Sequence, residues 1–447
     1  MQQDYLIQKK PMQALLIFAL PMILGNLFQQ TYTMADSAIV GRFVSEQALG
    51  AVGASLSLTN IFICVAIGGG IGASVLVSQY FGAGAYGKMK SALTTALLSF
   101  LAVSVLLGGV GLLFSRQIMV ALNTPEDVLP MAVVYLNIYF LGLPFLFMYN
   151  VLSSMFNALG RSKIPLAFLI FSSVFNVVLD WLLVTKAALG VAGVAWATLI
   201  AQGISAVLSF FVLVRMLRRM DCGRVRLFAA HELVPMTKIA LPSILQQSTV
   251  SIGMMLVQSV VNSFGSEALA GFSAAMRIDG ICIVPFAALG NALSSYTAQN
   301  IGAGKPERVT EGFRDANILV AVCAIAQCVV LKLGYRSMIG FFLGANGTQT
   351  ALATGEGYTS FIAWFFCWIG FKMAADGVLR GAGDMKLFTI ANLVNLTIRV
   401  AVAMLFAPRF GIQMVWYAVP MGWFANWVIS YAEYRTGKWK HISVKAG

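Results

Sequence analysis

Four side chains in the first half of the chain have the types and spacing to bind a small cation. Asp36 and Asp180 are carboxylates in otherwise apolar segments, and their nearest basic neighbours in sequence lie six positions away, off their helical face. Asn176 lies one helical turn before Asp180, and Thr198 follows on the next apolar segment. Two carboxylates with amide and hydroxyl oxygens are what a bound proton or Na⁺ requires. The pattern therefore predicts an ion-coupling site at these four residues.

The elements that carry these residues must cross a lipid bilayer. Of the 447 residues, 59% are hydrophobic and only 11% are charged, whereas soluble domains carry about 25% charged residues. Apolar segments long enough to span a hydrocarbon core of about 30 Å recur along the chain. They lack the alternation of barrel strands, so we expect helices. The predicted spans are 14–40, 50–79, 92–114, 129–157, 165–185, 191–214, 238–263, 269–299, 316–334, 352–379, 388–407 and 411–433.

The chain also contains an internal duplication. The segment 19–21 recurs as 240–242, and the Gly-Ala-Gly turn at 82–84 recurs as 302–304. Six spans are an even number, so both halves enter the membrane with the same orientation. The predicted fold is an all-α integral membrane protein with twelve transmembrane helices in two parallel six-helix lobes, related by a pseudo-twofold axis along the membrane normal. The predicted organisation is an N-lobe at 1–214, a cytoplasmic inter-lobe linker at 215–237 and a C-lobe at 238–447.

Other polar residues in the first half are candidates for contacts with a transported molecule. Polar groups in a span must face a polar surface, because lipid offers no hydrogen bonds. The expected substrate-cavity residues are Asn26, Gln29, Tyr32, Asn150 and Asn157.

Pro21 lies in the first predicted span, fifteen residues before Asp36. A proline inside a helix removes one backbone hydrogen bond and allows the helix to bend. Because the two residues share a helix, we interpret Pro21 as a hinge that responds to Asp36, with a static kink as the alternative.

The second half has a different set of charged residues in its spans. Asp376 has Lys372 four residues before it and Arg380 four residues after it, so all three share a helix face and can neutralise one another. Asp279 lies two positions from Arg277, on a different face, and needs a partner on another helix. We expect Asp376 and Asp279 to form a secondary charged site.

The duplication provides an internal comparison for the ion-coupling site. Asp180 corresponds to Arg399, whereas Asn176 corresponds to Asn395. An architectural network should be retained in both halves. The carboxylates occur in the first half alone, which favours a functional role there.

These motifs give the chain a resemblance to the multidrug and toxic compound extrusion (MATE) transporters over nearly its whole length. The motifs that carry it are Pro21 before Asp36, the Gly-rich turns at 82–84 and 302–304, the segment 176–180, Gly190 and Gly193 before Thr198, and the segment 380–386. The resemblance implies twelve helices in two lobes and drug or toxin export driven by H⁺ or Na⁺. It also implies that Asp36, Asn176, Asp180 and Thr198 form the N-lobe cation site and that Pro21 is a bending point.

The seventh predicted span departs from one branch of that family, which carries a glutamate there. The segment from Ser243 to Phe264 contains no acidic residue. The chain therefore looks more like the DinF-like branch, and an ion site in the C-lobe is not expected.

The function expected from these patterns is secondary active antiport. Bulky, often cationic drugs or toxic organic compounds would leave the cell in exchange for H⁺ or Na⁺ by alternating access. The alternative is a lipid-linked oligosaccharide or lipid flippase of the same superfamily. We do not expect an enzyme, because no predicted span contains His and no Ser/His/Asp or HExxH arrangement occurs. No cofactor is expected beyond the coupling ion, and no metal beyond a Na⁺ at Asp36, Asn176, Asp180 and Thr198.

The distribution of basic residues orients the chain. Most of the 30 lysines and arginines fall in segments on the side of the N-terminus, which places both termini in the cytoplasm. This asymmetry accounts for the net charge of +13 without a nucleic-acid partner. We expect a monomeric multi-pass protein of the bacterial cytoplasmic (inner) membrane. Its expected partners are the lipid bilayer and small-molecule drugs or toxins.

Overall fold

Long helices account for nearly all of the described chain, and no strand occurs among the described residues. This computed structural model describes residues 5–43, 46–122, 124–220, 225–344 and 347–442, without the side chains of 34–43, 46–50 and 57. The helices before residue 220 are α1 (Pro11–Phe43), α2 (Glu46–Gly82), α3 (Tyr86–Ala121), α4 (Leu129–Ala158), α5 (Lys163–Trp181) and α6 (Gly190–Arg218). The helices after it are α7 (Ala230–Asn262), α8 (Ser266–Gly302), α9 (Pro306–Leu343), α10 (Gln349–Ile362 and Phe366–Ala382), α11 (Met385–Phe410) and α12 (Gln413–Thr436).

Within the described ranges, ten helices are long and apolar enough to cross a membrane. The two pieces of α10, bent by 54° at a short break, together make an eleventh candidate, so the single span predicted at 352–379 is broken. Helix α12 is 24 residues long but less apolar than the others, because it carries the buried polar residues Asn426, Ser430 and Glu433. With α12 included, the described chain contains the twelve long segments that the sequence predicts.

Contacts divide the chain into two compact units. The N-unit comprises residues 24–244, and the C-unit comprises residues 1–23 together with 245–447. Helices α1 and α7 therefore each supply residues to both units, a division that the sequence repeat does not predict. The lobe and linker boundaries at 1–214, 215–237 and 238–447 describe the repeat, and they stay a prediction.

Each unit has an apolar core in which small residues allow close helix packing. In the N-unit, a Cβ added at Gly111 of α3 would lie 2.3 Å from the ring of Phe140 on α4. In the C-unit, a Cβ added at Gly377 of α10 would lie 2.5 Å from the backbone oxygen of Gly290 on α8. Glycine is needed at such crossings because dispersion contacts between backbones hold helices together in lipid.

Both described ends of the chain lie at the same end of the C-unit. Leu6 is fully buried, and its carbonyl oxygen accepts hydrogen bonds from Asn300 Nδ2 at 3.1 Å and from Arg308 Nη2 at 3.4 Å. Near the other terminus, the ring of Tyr434 packs on Phe313, with centroids 4.2 Å apart. Arg308 and Phe313 are both in the first turns of α9.

Candidate functional site

The turn between α5 and α6 brings two of the predicted ion-site elements together. Helix α5 continues as a π-helical turn, Leu182–Lys186, and the chain then reverses through Ala188, which has a left-handed φ of 53°. Gly193 of α6 packs closely on this turn, since an added Cβ would lie 3.2 Å from the Leu183 carbonyl. The close approach places Thr198 of α6 against the polar face of α5.

Three of the four predicted ion-coupling residues form one hydrogen-bonded group. Asn176 and Asp180 are buried one turn apart on α5. When the Asn176 amide is oriented so that donors meet acceptors, Nδ2 donates to Asp180 Oδ2 at 2.9 Å, and Oδ1 accepts from Thr198 N at 3.0 Å and from Thr198 Oγ1 at 3.3 Å. The same hydroxyl lies 3.1 Å from the carbonyl oxygen of Val194. These three side chains are therefore neighbours, and their role in ion coupling stays a prediction.

The fourth predicted member, Asp36, belongs to helix α1, but its side chain lies outside the described side chains. Its position relative to Asp180 therefore stays a prediction. A cavity of about 20 Å³ lies beside Thr198 and is lined also by Gln202, Tyr135 and Tyr139. Such a volume holds roughly one water molecule or a small cation.

The five predicted substrate-cavity residues have varied surroundings. On α1, Asn26 and Tyr32 are half-buried, whereas Gln29 is exposed. On α4, Asn150 is half-buried and its Nδ2 donates to the Leu146 carbonyl of its own helix at 2.8 Å. The buried Oδ1 of Asn157 has no hydrogen-bond partner among the described residues. The assignment of these residues to a shared cavity stays a prediction.

Pro21 lies inside the continuous helix α1. It precedes by two residues the point, between residues 23 and 24, where α1 changes from the C-unit to the N-unit. Pro242 holds the same place in α7, two residues before the change between 244 and 245. The two prolines are also equivalent in the sequence repeat, so each half of the chain removes a backbone hydrogen bond at the same point.

The C-unit contains a separate network centred on Asp376, which is 1% exposed. Lys372 Nζ lies 3.3 Å from Asp376 Oδ2. The same oxygen accepts from Gln246 Nε2 of α7 and from Asn392 Nδ2 of α11, both at 3.3 Å. Ser430 Oγ of α12 donates to Asp376 Oδ1 at 2.7 Å. Four donors from four helices therefore satisfy this carboxylate.

Arg380 does not pair directly with Asp376, as its place on the same helix face suggested. Its Nη1 donates to Gln246 Oε1 at 3.3 Å, and its Nη2 donates to Asn291 Oδ1 of α8 at 2.7 Å. Gln246 thus links the arginine to the carboxylate. Lys372 therefore pairs with Asp376 directly, whereas the long Arg380 side chain reaches α7 and α8 and contacts the carboxylate only through Gln246.

Asp279 lines a cavity of the C-unit with a volume of about 170 Å³. Arg399, the repeat equivalent of Asp180, lines it as well, together with Asn395. Among the described residues, Asp279 Oδ1, Asn395 Oδ1 and Arg399 Nε have no hydrogen-bond partner. Arg277 is not the partner of Asp279, since its guanidinium lies over the ring of Phe342, 5.9 Å from the centroid. The cavity therefore combines a fixed cation with an acid.

Comparison with known proteins identifies the family. The MatE family model matches residues 21–182 and 242–405, one segment in each half of the chain. This chain belongs to the MatE family. A relative from Bacillus subtilis (strain 168), named "Probable multidrug resistance protein YpnP", is 31% identical over 438 residues, which cover 98% of each chain. The "Multidrug export protein MepA" of Staphylococcus aureus (strain MRSA252) is 24% identical over 433 residues, covering 93% of this chain and 92% of that one.

Solved structures of MatE proteins share the fold. One, titled as the outward-facing conformation of a multidrug resistance MATE family transporter of the MOP superfamily, superposes with a TM-score of 0.91 at 20% identity and covers 99% of both chains. The predicted fold class, an all-α integral membrane protein with twelve transmembrane helices in two lobes, is confirmed. The resemblance read from the Gly-rich and aspartate motifs is confirmed as well. The DinF-like branch stays a prediction.

Sequence reasoning missed most partners of the C-unit network in this MatE chain. Gln246, Asn291, Asn392 and Ser430 contact Asp376 or Arg380 from four other helices. Their sequence does contain one indication of a buried polar contact, because each is a polar residue inside an apolar span. Composition could mark them as candidates, but only helix rotation and crossing determine which residues meet.

Proposed function

We propose that this MatE protein is a secondary active antiporter. It exports bulky, often cationic drugs or toxic organic compounds in exchange for H⁺ or Na⁺ by alternating access. Family membership and relatives whose names describe multidrug resistance and export support this proposal. The same names do not favour the flippase alternative. We propose no enzymatic activity, in keeping with membership of a transporter family.

The observation that carries the proposal is the buried group of Asn176, Asp180 and Thr198 in the N-unit. A charged side chain in a membrane span costs about 2.5–3.5 kcal/mol, so a carboxylate that only filled space would be replaced by an apolar residue. The Asp180 carboxylate accepts a hydrogen bond from the Asn176 amide, which in turn accepts from the Thr198 hydroxyl. These groups can hold a proton or Na⁺ on the carboxylate and release it when the surroundings change.

Coupling follows if one cation and one drug compete for the N-unit. With its cation bound, Asp180 is neutral, and the polar face of α5 and α6 is stable in a closed, apolar surrounding. Without it, the carboxylate needs a new counter-charge, which a cationic drug can supply. Asp36 joins the site from α1 in this proposal, so occupancy of the site would change the bend of α1 at Pro21, in the helix that contributes residues to both units.

The C-unit plays a different part in this scheme. Asp376 is already neutralised by Lys372 and held by three further donors. Its oxygens already accept from an ammonium group and three neutral donors, so an exchangeable cation is not needed to satisfy them. We therefore assign the Asp376 network to stability and leave coupling to the N-unit.

The experiment that tests this function is dye and drug efflux from liposomes containing the purified full chain. Ethidium serves as the cationic probe, and pH and Na⁺ gradients are imposed separately. Efflux driven by one of the two gradients, and lost in Asp180→Asn, is expected. Equal efflux with and without either gradient contradicts antiport.

The protein is a multi-pass membrane protein, which we place in the bacterial inner membrane with both termini in the cytoplasm. We further propose that it acts as a monomer whose partners are the bilayer and its substrates. Cysteines introduced near residues 87 and 304 should react from the cytoplasmic side, and one near residue 125 from outside. External labelling near residue 304 contradicts this orientation.

A further inference from the structure

An open groove lies at the end of the C-unit that carries both described chain ends. Its volume is about 710 Å³, within the range of about 300–1,000 Å³ typical of small-molecule sites. The walls are the beginning of α9, the end of α12 and the 3-10 turn Lys438–His441. We call it the terminal groove. No residue of the proposed coupling site lines it.

Three cations surround the mouth of the terminal groove: Arg314, Arg435 and Lys440, all of them exposed. Arg314 Nη2 lies 3.3 Å from Asp315 Oδ1, so one of these charges is partly compensated. Arg435 donates to the Tyr431 hydroxyl at 3.4 Å. In the part of the chain that the structure describes, Arg435 and Lys440 form no ion pair with a carboxylate, so the mouth retains about two uncompensated positive charges.

The groove becomes apolar with depth. Ala321 lies seven residues beyond Arg314 on α9, which places it about 10 Å further along the helix. Ile318 lies between them, and Phe371 of α10 completes the deep wall. Because α9 is long and apolar enough to cross the membrane, the groove runs from the charged membrane edge toward the hydrocarbon layer.

Aromatic side chains hold the mouth in a fixed shape. Trp439 is 1% exposed and stacks on Tyr434, with centroids 5.5 Å apart and ring planes at 9°. Its Nε1 donates to the Tyr434 carbonyl at 2.9 Å. Lys440 Nζ lies over the Trp439 ring, 5.6 Å from its centroid. The turn after α12 is therefore anchored, and the ammonium group of Lys440 is held beside the groove.

We propose that the terminal groove binds one anionic phospholipid. Its phosphate lies among Arg314, Arg435 and Lys440, and one acyl chain follows Ile318 and Ala321 along α9. The charge pattern disfavours choline lipids, because the described residues that line the groove include three cations and no carboxylate. The apolar depth distinguishes a lipid from a free phosphate, which would use only the charged end.

The test is native mass spectrometry of the detergent-purified full chain, titrated with phosphatidylglycerol or phosphatidylcholine of equal chain length. Each basic side chain near an anionic headgroup contributes about fivefold in affinity. Two uncompensated charges therefore give a preference for phosphatidylglycerol of about twenty-five-fold. The triple variant Arg314→Gln, Arg435→Gln, Lys440→Gln should bind both lipids about equally. The matched control changes three exposed arginines to Gln. They lie near the C-terminal ends of α3, α9 and α11 and are Arg116, Arg336 and Arg409.

A second variant tests the acyl chain. Ala321→Trp fills the deep part of the groove and changes no charge, so it should weaken phosphatidylglycerol binding by tenfold or more. Millimolar inorganic phosphate should not displace the lipid from the wild-type protein. Equal binding of the two lipids to the wild type, or equal losses in the triple variant and its control, overturns the proposal. Unchanged lipid binding in Ala321→Trp, or displacement by phosphate, overturns it too, because the groove would then be an anion site.

Discussion

Replacing Asp376 by Asn separates the structural carboxylate from the proposed coupling carboxylate. The change leaves Lys372, which is 2% exposed, without the carboxylate that lies 3.3 Å from its ammonium group. It also turns one acceptor oxygen into an NH₂ donor, which can be satisfied only where the Ser430 hydroxyl accepts instead of donating. Breaking a buried ion pair costs about 3–5 kcal/mol, so we expect the free energy of unfolding to fall by about that amount.

The double variant Lys372→Met, Asp376→Asn is the control for this effect. It removes the stranded ammonium group, so it should recover part of the lost stability, at least about 1–2 kcal/mol. The difference is measured by thermal unfolding in detergent, which is monitored as the loss of the monodisperse peak in size-exclusion chromatography. Recovery in the double variant shows that the unpaired charge, and not the amide itself, caused the loss.

Asp180→Asn should give the opposite result. An amide retains one acceptor for the neighbouring Asn176, and a neutral group costs less to bury than a carboxylate. We expect stability to change by no more than about 1 kcal/mol, while gradient-driven efflux falls to the passive leak rate. Asp376→Asn should retain substantial efflux per folded molecule, or alter substrate preference. Full efflux in Asp180→Asn, with loss only in Asp376→Asn, would refute the assignment of coupling to the N-unit.

Three further predictions concern the backbone and the loops. Pro21→Ala restores a helical hydrogen bond and should impair efflux more than thermal stability, whereas normal efflux would indicate a static kink. Gly377→Ala places a Cβ 2.5 Å from the Gly290 carbonyl oxygen and should destabilise the C-unit by about 1–3 kcal/mol, measured as a lower melting temperature. Burial and the nearby Glu433 raise the pKa of Asp384, which lies between two spans. A raised carboxyl pKa means that the folded state binds the proton more tightly, so stability falls as pH rises above the ordinary value of about 4. Asp384→Asn should therefore raise the melting temperature at pH 7.5, with the gain disappearing below pH 4; a constant gain at all pH values would exclude titration as its cause.

Local sequence determined the membrane class, the helices and part of the candidate site. A span satisfies its backbone hydrogen bonds within its own segment, so apolar length alone marks it. Asn176 and Asp180 are one turn apart, and a short reversal links them to Thr198. Neighbours of this kind follow from helical periodicity and loop length. The duplication, read from short repeated motifs, likewise predicted the two matched family segments.

The tertiary structure decided what depends on helix rotation and crossing. Apolarity cannot indicate that Gln246 and Ser430 face Asp376, nor that Arg380 turns away from it toward Asn291. The break in α10, the division of α1 and α7 among the two units, and the terminal groove are further cases. Each of these features depends on how side chains that are far apart in sequence pack against one another. Such packing involves several helices at once. The hydropathy of one segment therefore does not predict which residues of other helices it will contact. The same hydropathy does predict that the segment lies in the membrane, because it is a property of the segment's own residues.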